Sequence, residues 1–166
     1  IISGQKSFED RWEECVDVVT TYLPIATSAL YVKNFFKKES RDAALKIVHS
    51  IQEEFEDTLN NTEWMDDETR SAALEKARKM SMHIGYPDEL TDNQKLIKYY
   101  EGLHLNERNF FESIVNISKF DSQKLMRNFR KPVNKTNWED HSYVALINAF
   151  YSPLENSIRK FLFIAC

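Results

Sequence analysis

The stretch SRDAALKIVHSIQEEFEDTLN, residues 40–60, decides the fold class of this chain. Its apolar side chains recur every three or four residues, as they do on one face of an α-helix. The members of this stripe are Leu45, Val48, Ile51, Phe55 and Leu59. Ser40 or Asp42 is expected to cap the first turn, because short polar side chains accept hydrogen bonds from free backbone N–H groups. The stretch therefore predicts a long amphipathic helix that packs against other elements.

Helical spacing continues on both sides of this stretch. Helices are predicted at about 8–19, 24–36, 67–80, 92–101 and 106–129. Ser7 and Asp10 form a weak capping box before the first of them, and Pro24 suits the first turn of the second. The segment 85–88, Gly-Tyr-Pro-Asp, predicts a break in the chain. Residues 142–150 have the alternation and the apolar content of a strand.

The composition favours a mainly α protein of one domain, or part of a larger one. The chain has 166 residues, of which only 3 are Gly and 4 are Pro, few for an all-β protein with many tight turns. Its net charge is −4, and its basic residues are scattered along the sequence with no basic stripe or arm. Nucleic acid is therefore excluded as a partner. No apolar run approaches the length that spans a bilayer, so no membrane segment is predicted.

Large aromatic side chains are expected to anchor the core, since a buried aromatic contributes more to packing than any other residue type. The prediction covers Trp12, Trp64, Trp138, the pair Tyr99 and Tyr100, and the pair Phe110 and Phe111.

Three Asn-x-Ser/Thr sequences are candidate sites for N-linked glycans. Their asparagines are Asn60, Asn116 and Asn134. Such glycans are added only in the secretory pathway, so three sites in a chain of this length favour an extracellular or lumenal protein.

Six short segments, in their order and spacing, resemble the neprilysin and endothelin-converting enzyme family of zinc metalloendopeptidases. They are RWEEC (11–15), ALYV (29–32), TEWMD (62–66), ETR (68–70), IGYP (84–87) and NAFYSP (148–153). The resemblance implies helices of an outer lobe, then the start of a thermolysin-like catalytic lobe with one edge strand near 143–150. It makes residues 1–153 a neprilysin-like peptidase segment and 154–166 a divergent C-terminal tail. It also implies an extracellular or cell-surface ectodomain.

The resemblance assigns substrate docking to Asn148, Ala149 and Phe150. In the family an extended peptide lies along the edge strand. The Asn side chain offers both a donor and an acceptor to the peptide backbone, the Ala carbonyl accepts from it, and the Phe helps to wall a side-chain pocket. Without the resemblance, an ordinary buried strand ending in Asn would be the simpler interpretation. Cys15 resembles half of a family disulfide whose partner lies outside this chain, and Cys166 has no assigned partner.

The zinc-binding motif of the family, His-Glu-x-x-His, is absent from this sequence. The four histidines are followed by Ser50, Ile84, Leu105 and Ser142, and none is followed by Glu. His49 and Glu53 lie one turn apart, but two ligands make a poor zinc site, and an exposed polar face is the better interpretation. We therefore expect no metal site in this chain, with zinc as the cofactor and peptides as the substrates of the complete enzyme.

Two other functions compete with the peptidase fragment. The chain could be a non-catalytic helical module that binds a peptide or a protein, or an unrelated helical scaffold. The ordered motifs argue against the scaffold, and peptide binding without turnover would favour the module. The resemblance leaves open whether this chain is itself an enzyme, and it implies that the chain alone is inactive.

Overall fold

The computed structural model describes residues 10–145 and 148–160. Its α-helices are α1 (Arg11–Tyr22), α2 (Pro24–Phe35), α3 (Lys38–Asn60), α4 (Asp67–Arg78), α5 (Asn93–Tyr99) and α6 (Phe110–Asn128). Its strands are β1 (Ser81–Ile84), β2 (Ala149–Ser152) and β3 (Ser157–Lys160), and two short 3-10 helices cover Asp88–Thr91 and Trp138–His141. The prediction of a mainly α chain is confirmed.

Several helix boundaries follow from local side chains. Pro24 occupies the first turn of α2, and the Asp66 carboxylate accepts from the backbone N–H of Thr69 at 2.7 Å to cap α4. The predicted caps of α3 are wrong. That helix begins at Lys38, so Ser40 and Asp42 lie inside it.

The earlier start of α3 has a local cause. No helix breaker stands among the residues just before Ser40, and Glu39 places a negative charge in the first turn, where the helix dipole favours it. The first helix begins at Arg11, and Asp10 forms no side-chain cap. Ser7, the other half of the predicted capping box, lies outside the described residues.

The last helix begins later than predicted. Asn109 caps α6 by accepting from the N–H of Glu112 at 3.1 Å, and this fixes the start at Phe110. The preceding residues form a turn in which the N–H of Arg108 donates to the side chain of Asn106 at 3.0 Å. A local Asx turn therefore replaces the first helical turn that the sequence suggested.

The predicted break at 85–88 is confirmed. Gly85 has φ +76°, and a Cβ there would lie 3.1 Å from the Cγ of Arg41. A glycine fits because it adopts this conformation without steric cost. The turn ends β1 and brings Tyr86 edge-on to Phe36, with 5.0 Å between the ring centroids.

The sheet has the strand order β1-β3-β2. β3 pairs with β1 in parallel, from Ser81 opposite Ser157, and with β2 antiparallel, from Ala149 opposite Lys160. The predicted strand near 143–150 is found at 149–152, and it lies at an edge of the sheet. Tyr143 and Val144 precede it outside any strand. The central strand β3 lies within the segment 154–166 that the sequence suggested as a tail.

The main core surrounds α2. Its buried side chains are Ile25, Ala29, Val32, Leu90 and Val144. On α2 these follow the spacing of one helical face. The N–H of Val144 donates to the hydroxyl of Ser28 at 3.1 Å, and both residues are buried. This bond ties the segment that leads to β2 onto the central helix.

The prediction that every large aromatic is a core anchor is wrong in part. Trp138, Tyr99 and Tyr100 pack against the core as expected. Trp12 and Trp64 are 64% and 81% exposed, and Phe110 and Phe111 are exposed as well. Trp64 lies in the connection between α3 and α4, and the other three lie on exposed parts of α1 and α6. Side-chain type alone cannot tell which aromatic residues pack.

No single helix in the described ranges is long and apolar enough to cross a membrane. The helices α1 and α2 pass that test only when taken together, and they meet at a bend of 109°.

Candidate functional site

The three predicted docking residues form one exposed segment at the start of β2. Asn148 precedes the strand, and Ala149 and Phe150 are its first two residues. One side of β2 pairs with β3, and no strand of the described residues pairs with the other side. An edge of this kind presents backbone N–H and C=O groups to another chain.

The side chain of Asn148 is oriented by its own neighbour. Its Oδ1 accepts from the backbone N–H of Ala149 at 2.8 Å. Its amide nitrogen has no partner among the described residues, so both N–H groups face solvent as donors. Phe150 is 47% exposed, enough to offer an apolar surface beside the strand.

Asn156 holds the β2–β3 hairpin against the rest of the chain. Its side chain accepts from the hydroxyl of Tyr151 at 3.2 Å and donates to the carbonyl of Lys76 at 2.8 Å. Its own carbonyl accepts from the N–H of Ser81 at 2.9 Å. With φ +52°, Asn156 also makes the turn between the strands. One residue therefore links β2, the end of α4 and the start of β1.

A pair of histidines stacks beside the sheet. His83 on β1 and His141 lie with their ring centroids 3.5 Å apart and their planes 9° apart. The Nε2 of His141 is 3.0 Å from the carbonyl of Lys135, and because a carbonyl only accepts, that nitrogen carries the proton. Burial, and then the nearby His141 and Arg159, lower the pKa of His83. The lowered pKa favours the neutral form of His83.

An ion pair on and next to β3 lies beside the two stacked histidines. We call the histidines and this ion pair the polar layer. Arg159 donates to Glu155 at 2.6 Å and to the carbonyl of Asp140 at 3.1 Å. Ser157 donates to the same Glu155 carboxylate at 2.9 Å. The hydrogen bond from Arg159 is the main reason that the pKa of Glu155 is lowered. No spacing in the sequence marks this layer, because its members come from segments far apart along the chain.

The described residues do not fit the zinc of the family. They contain no group of three or more His, Cys, Asp or Glu side chains placed to hold a metal ion. His49 and Glu53 lie exposed on α3, one turn apart, with no third ligand beside them. A catalytic zinc needs about three protein ligands, so no step of a reaction is assigned to zinc in this geometry.

The three candidate glycosylation sites differ in accessibility. Asn60 ends α3 and is exposed. Asn134 is exposed too, and its Oδ1 accepts from the N–H and the hydroxyl of Thr136 at 3.1 and 2.9 Å. Asn116 lies inside α6, partly buried, where its amide nitrogen donates to the carbonyl of His104 at 3.1 Å. Asn60 and Asn134 are therefore accessible to a glycosylating enzyme. The side-chain amide of Asn116 is instead hydrogen-bonded to the carbonyl of His104.

Cys15 lies exposed on α1 as a free thiol within the described ranges. The disulfide to a partner outside this chain therefore stays a prediction, and Cys166 lies outside the described residues.

Comparison with known families gives one match over about half of the chain. The family model described as Peptidase family M13 matches residues 1–87. Neprilysin-2 of Drosophila melanogaster is 41% identical over 95% of this chain and 22% of its own length. Neprilysin-11 of Caenorhabditis elegans is 35% identical over 95% of this chain and 18% of its own length. The chain thus spans about a fifth of the length of these curated relatives.

Two solved structures share the fold. The zinc metalloprotease ZMP1 of Mycobacterium tuberculosis, in complex with an inhibitor, superposes with a TM-score of 0.75 at 23% identity. The match covers 94% of this chain and 22% of that one. A galactose-containing glycoprotein complex from Haemonchus gives a TM-score of 0.65 at 24% identity, over 89% of this chain and 25% of the other. At these identities the likeness concerns the fold alone.

Proposed function

Because this chain belongs to peptidase family M13, we propose that it is part of a neprilysin-like zinc metalloendopeptidase and supplies the strand on which peptide substrates dock. The observation that carries the proposal is the exposed edge of β2, with Asn148, Ala149 and Phe150 at its start. An extended peptide that joins this edge adds a strand to the sheet, a common mode of peptide recognition.

The docking residues have separate roles in this proposal. The amide nitrogen of Asn148 donates to a carbonyl of the peptide, and the carbonyl of Ala149 accepts from a peptide N–H. Phe150 forms one wall of a pocket for a peptide side chain. Contacts to the peptide backbone ignore most side-chain differences, so this arrangement suits a peptidase that accepts varied sequences.

The chain by itself is proposed to bind peptide without hydrolysing it. Zinc in the complete family enzyme polarises the scissile carbonyl and activates water. The residues described here do not gather a ligand set for it, so their role is confined to binding and orienting the peptide.

The proposed location is extracellular or at the cell surface, as a glycoprotein. Two of the three glycosylation sequences place their asparagine on the surface, at Asn60 and Asn134, and this supports the proposal.

A binding measurement tests the docking role. The chain is titrated with an extended fluorescent peptide, and the Asn148→Ala variant is compared with Asn34→Ala, an exposed asparagine on α2. Loss of one hydrogen bond, about 1 kcal/mol, should weaken binding about fivefold for Asn148→Ala and leave Asn34→Ala unchanged. Equal affinities for both variants and the unmodified chain would exclude Asn148 from docking.

The alternative, a non-catalytic helical binding module, is favoured by one observation. Trp12, Val16 and Val19 are exposed on α1 at helical spacing and form an apolar stripe. Peptide binding that survives Asn148→Ala and is lost with Trp12→Ala would favour this module. Turnover that requires zinc and stops with a chelator would instead contradict the binding-only role of the isolated chain.

A further inference from the structure

A cleft of about 480 Å³ lies between α5 and α6. It shares no lining residue with β2. Five of its lining residues are cationic: Lys95, Lys98, Lys124, Arg127 and Lys131. We call this the basic cleft. Only two carboxylates, Glu101 and Glu139, line it, so its charge is positive although the whole chain carries −4.

Packing of two helices creates the cleft. Lys95 and Lys98 lie three residues apart on α5, and Lys124 and Arg127 lie three residues apart on α6, so each helix presents its two cations on one face. Lys131 follows shortly after the end of α6. Tyr99 on α5 contacts Phe120 on α6, with 6.2 Å between the ring centroids, and this contact brings the two faces together. Cations that look scattered along the sequence therefore converge.

The cations are only partly neutralised within the chain. Lys124 pairs with Glu139 at 2.9 Å, and Lys95 pairs with Glu89 at 3.3 Å. Lys98 and Arg127 are exposed and form no ion pair with any described residue. Like charges gathered across one cleft repel each other, and an anion placed between them would relieve that repulsion.

The aromatic floor of the cleft is already occupied. The Nζ of Lys124 lies 3.0 Å from the centroid of the Tyr99 ring and covers its face. Trp138 contacts the same Tyr99 at an angle of 62° between the ring planes. A ligand therefore finds charges at the rim but no open face of Tyr99 for stacking. This arrangement disfavours a nucleobase, which binds single-stranded sites chiefly by stacking on aromatic rings.

We propose that the basic cleft binds a short segment of a sulfated glycan. Its sulfate groups would pair with Lys98, Arg127 and Lys131, whose side chains offer N–H donors that suit tetrahedral anions. A short sulfated segment covers only the cleft, whereas a long nucleic acid would meet the negative charge of the remaining surface. The proposal does not depend on peptide docking at β2.

Binding of a short heparin oligosaccharide, measured by calorimetry at physiological ionic strength, tests the proposal. Lys98→Glu and Arg127→Glu should each weaken binding about tenfold or more, because each removes a charge-assisted contact and adds a repulsive charge. The matched control is Lys46→Glu, an exposed cation on α3 that changes the net charge equally and should leave binding unchanged. Lys98→Gln, which adds no repulsive charge, should weaken binding to a smaller extent.

Comparison ligands complete the test. The same oligosaccharide without its sulfates should not bind, and a single-stranded oligodeoxynucleotide of equal charge should bind at least tenfold more weakly. Equal loss of affinity in Lys46→Glu would show a diffuse charge effect and overturn the proposal. So would binding of the desulfated sugar, tighter binding of the oligodeoxynucleotide, or no binding of heparin at all. Circular dichroism of each variant confirms that the helices are retained.

Discussion

Replacement of Asn156 should destabilise the hairpin that carries the docking strand, and the amount should depend on the replacing residue. Asn156 has φ +52° and joins three elements through its side chain and its carbonyl. Asn156→Ala removes both side-chain hydrogen bonds and places alanine, which tolerates the left-handed region less well than asparagine, at this position. Asn156→Gly removes the same bonds but tolerates the backbone conformation.

The expected magnitudes follow from these two effects. The side-chain bonds to Tyr151 and Lys76 are partly exposed, so together they contribute about 1 kcal/mol. The left-handed conformation costs a residue such as alanine roughly 1–2 kcal/mol. Asn156→Gly should therefore lower the free energy of unfolding by no more than about 1 kcal/mol. Asn156→Ala should be less stable than Asn156→Gly by roughly 1–2 kcal/mol.

Urea unfolding followed by circular dichroism gives the global free energy, and amide exchange at Ser81 reports the hairpin itself, because that N–H donates to the carbonyl of Asn156. Asn61→Ala is the control, since its side chain also donates to a carbonyl, at 2.9 Å, but its φ is −91°. Equal stability of the Ala and Gly variants, or unchanged exchange at Ser81 in both, would contradict the role of Asn156 in holding the hairpin.

Three further predictions concern the polar layer, the surface and the core. The stability contributed by neutral His83 should be fully present above a pH of about 6.5. It should fall as the pH drops from there toward the lower folded-state pKa, because the unfolded state takes up the proton first. In His83→Phe the free energy of unfolding measured with urea should depend less on pH over that window. Expression in secreting cells should attach glycans at Asn60 and Asn134 but not at Asn116, so that Asn→Gln variants of the first two each lose one increment of mass while Asn116→Gln loses none. Leu90→Ala should lower the free energy of unfolding by about 2–5 kcal/mol, because removal of this fully buried side chain leaves a cavity. The control Leu154→Ala, at a residue that is 89% exposed, should change the free energy of unfolding by less than about 0.5 kcal/mol. Similar values for the two variants would contradict the assigned core.

The edge strand that carries the candidate docking residues was predictable, but its neighbours in the sheet were not. The resemblance placed Asn148, Ala149 and Phe150 on an edge strand, and the structure has them at the start of an edge strand. Their roles toward a peptide stay predictions. The neighbours of that strand could not be foreseen, because Ser81–Ile84 and Ser157–Lys160 are only four residues each and carry too short a pattern to mark a strand.

Features that depend on residues within a turn or two of each other were predictable from the sequence. Pro24 begins its helix and Gly85 breaks the chain as predicted, and Asp66 caps α4, because each acts on backbone groups within a few residues. The tertiary structure alone decided the parallel pairing of β1 with β3, the stack of His83 on His141, the exposure of Trp12 and the basic cleft. These join residues far apart along the chain, and which faces meet is set by the packing of whole elements, which no local pattern encodes.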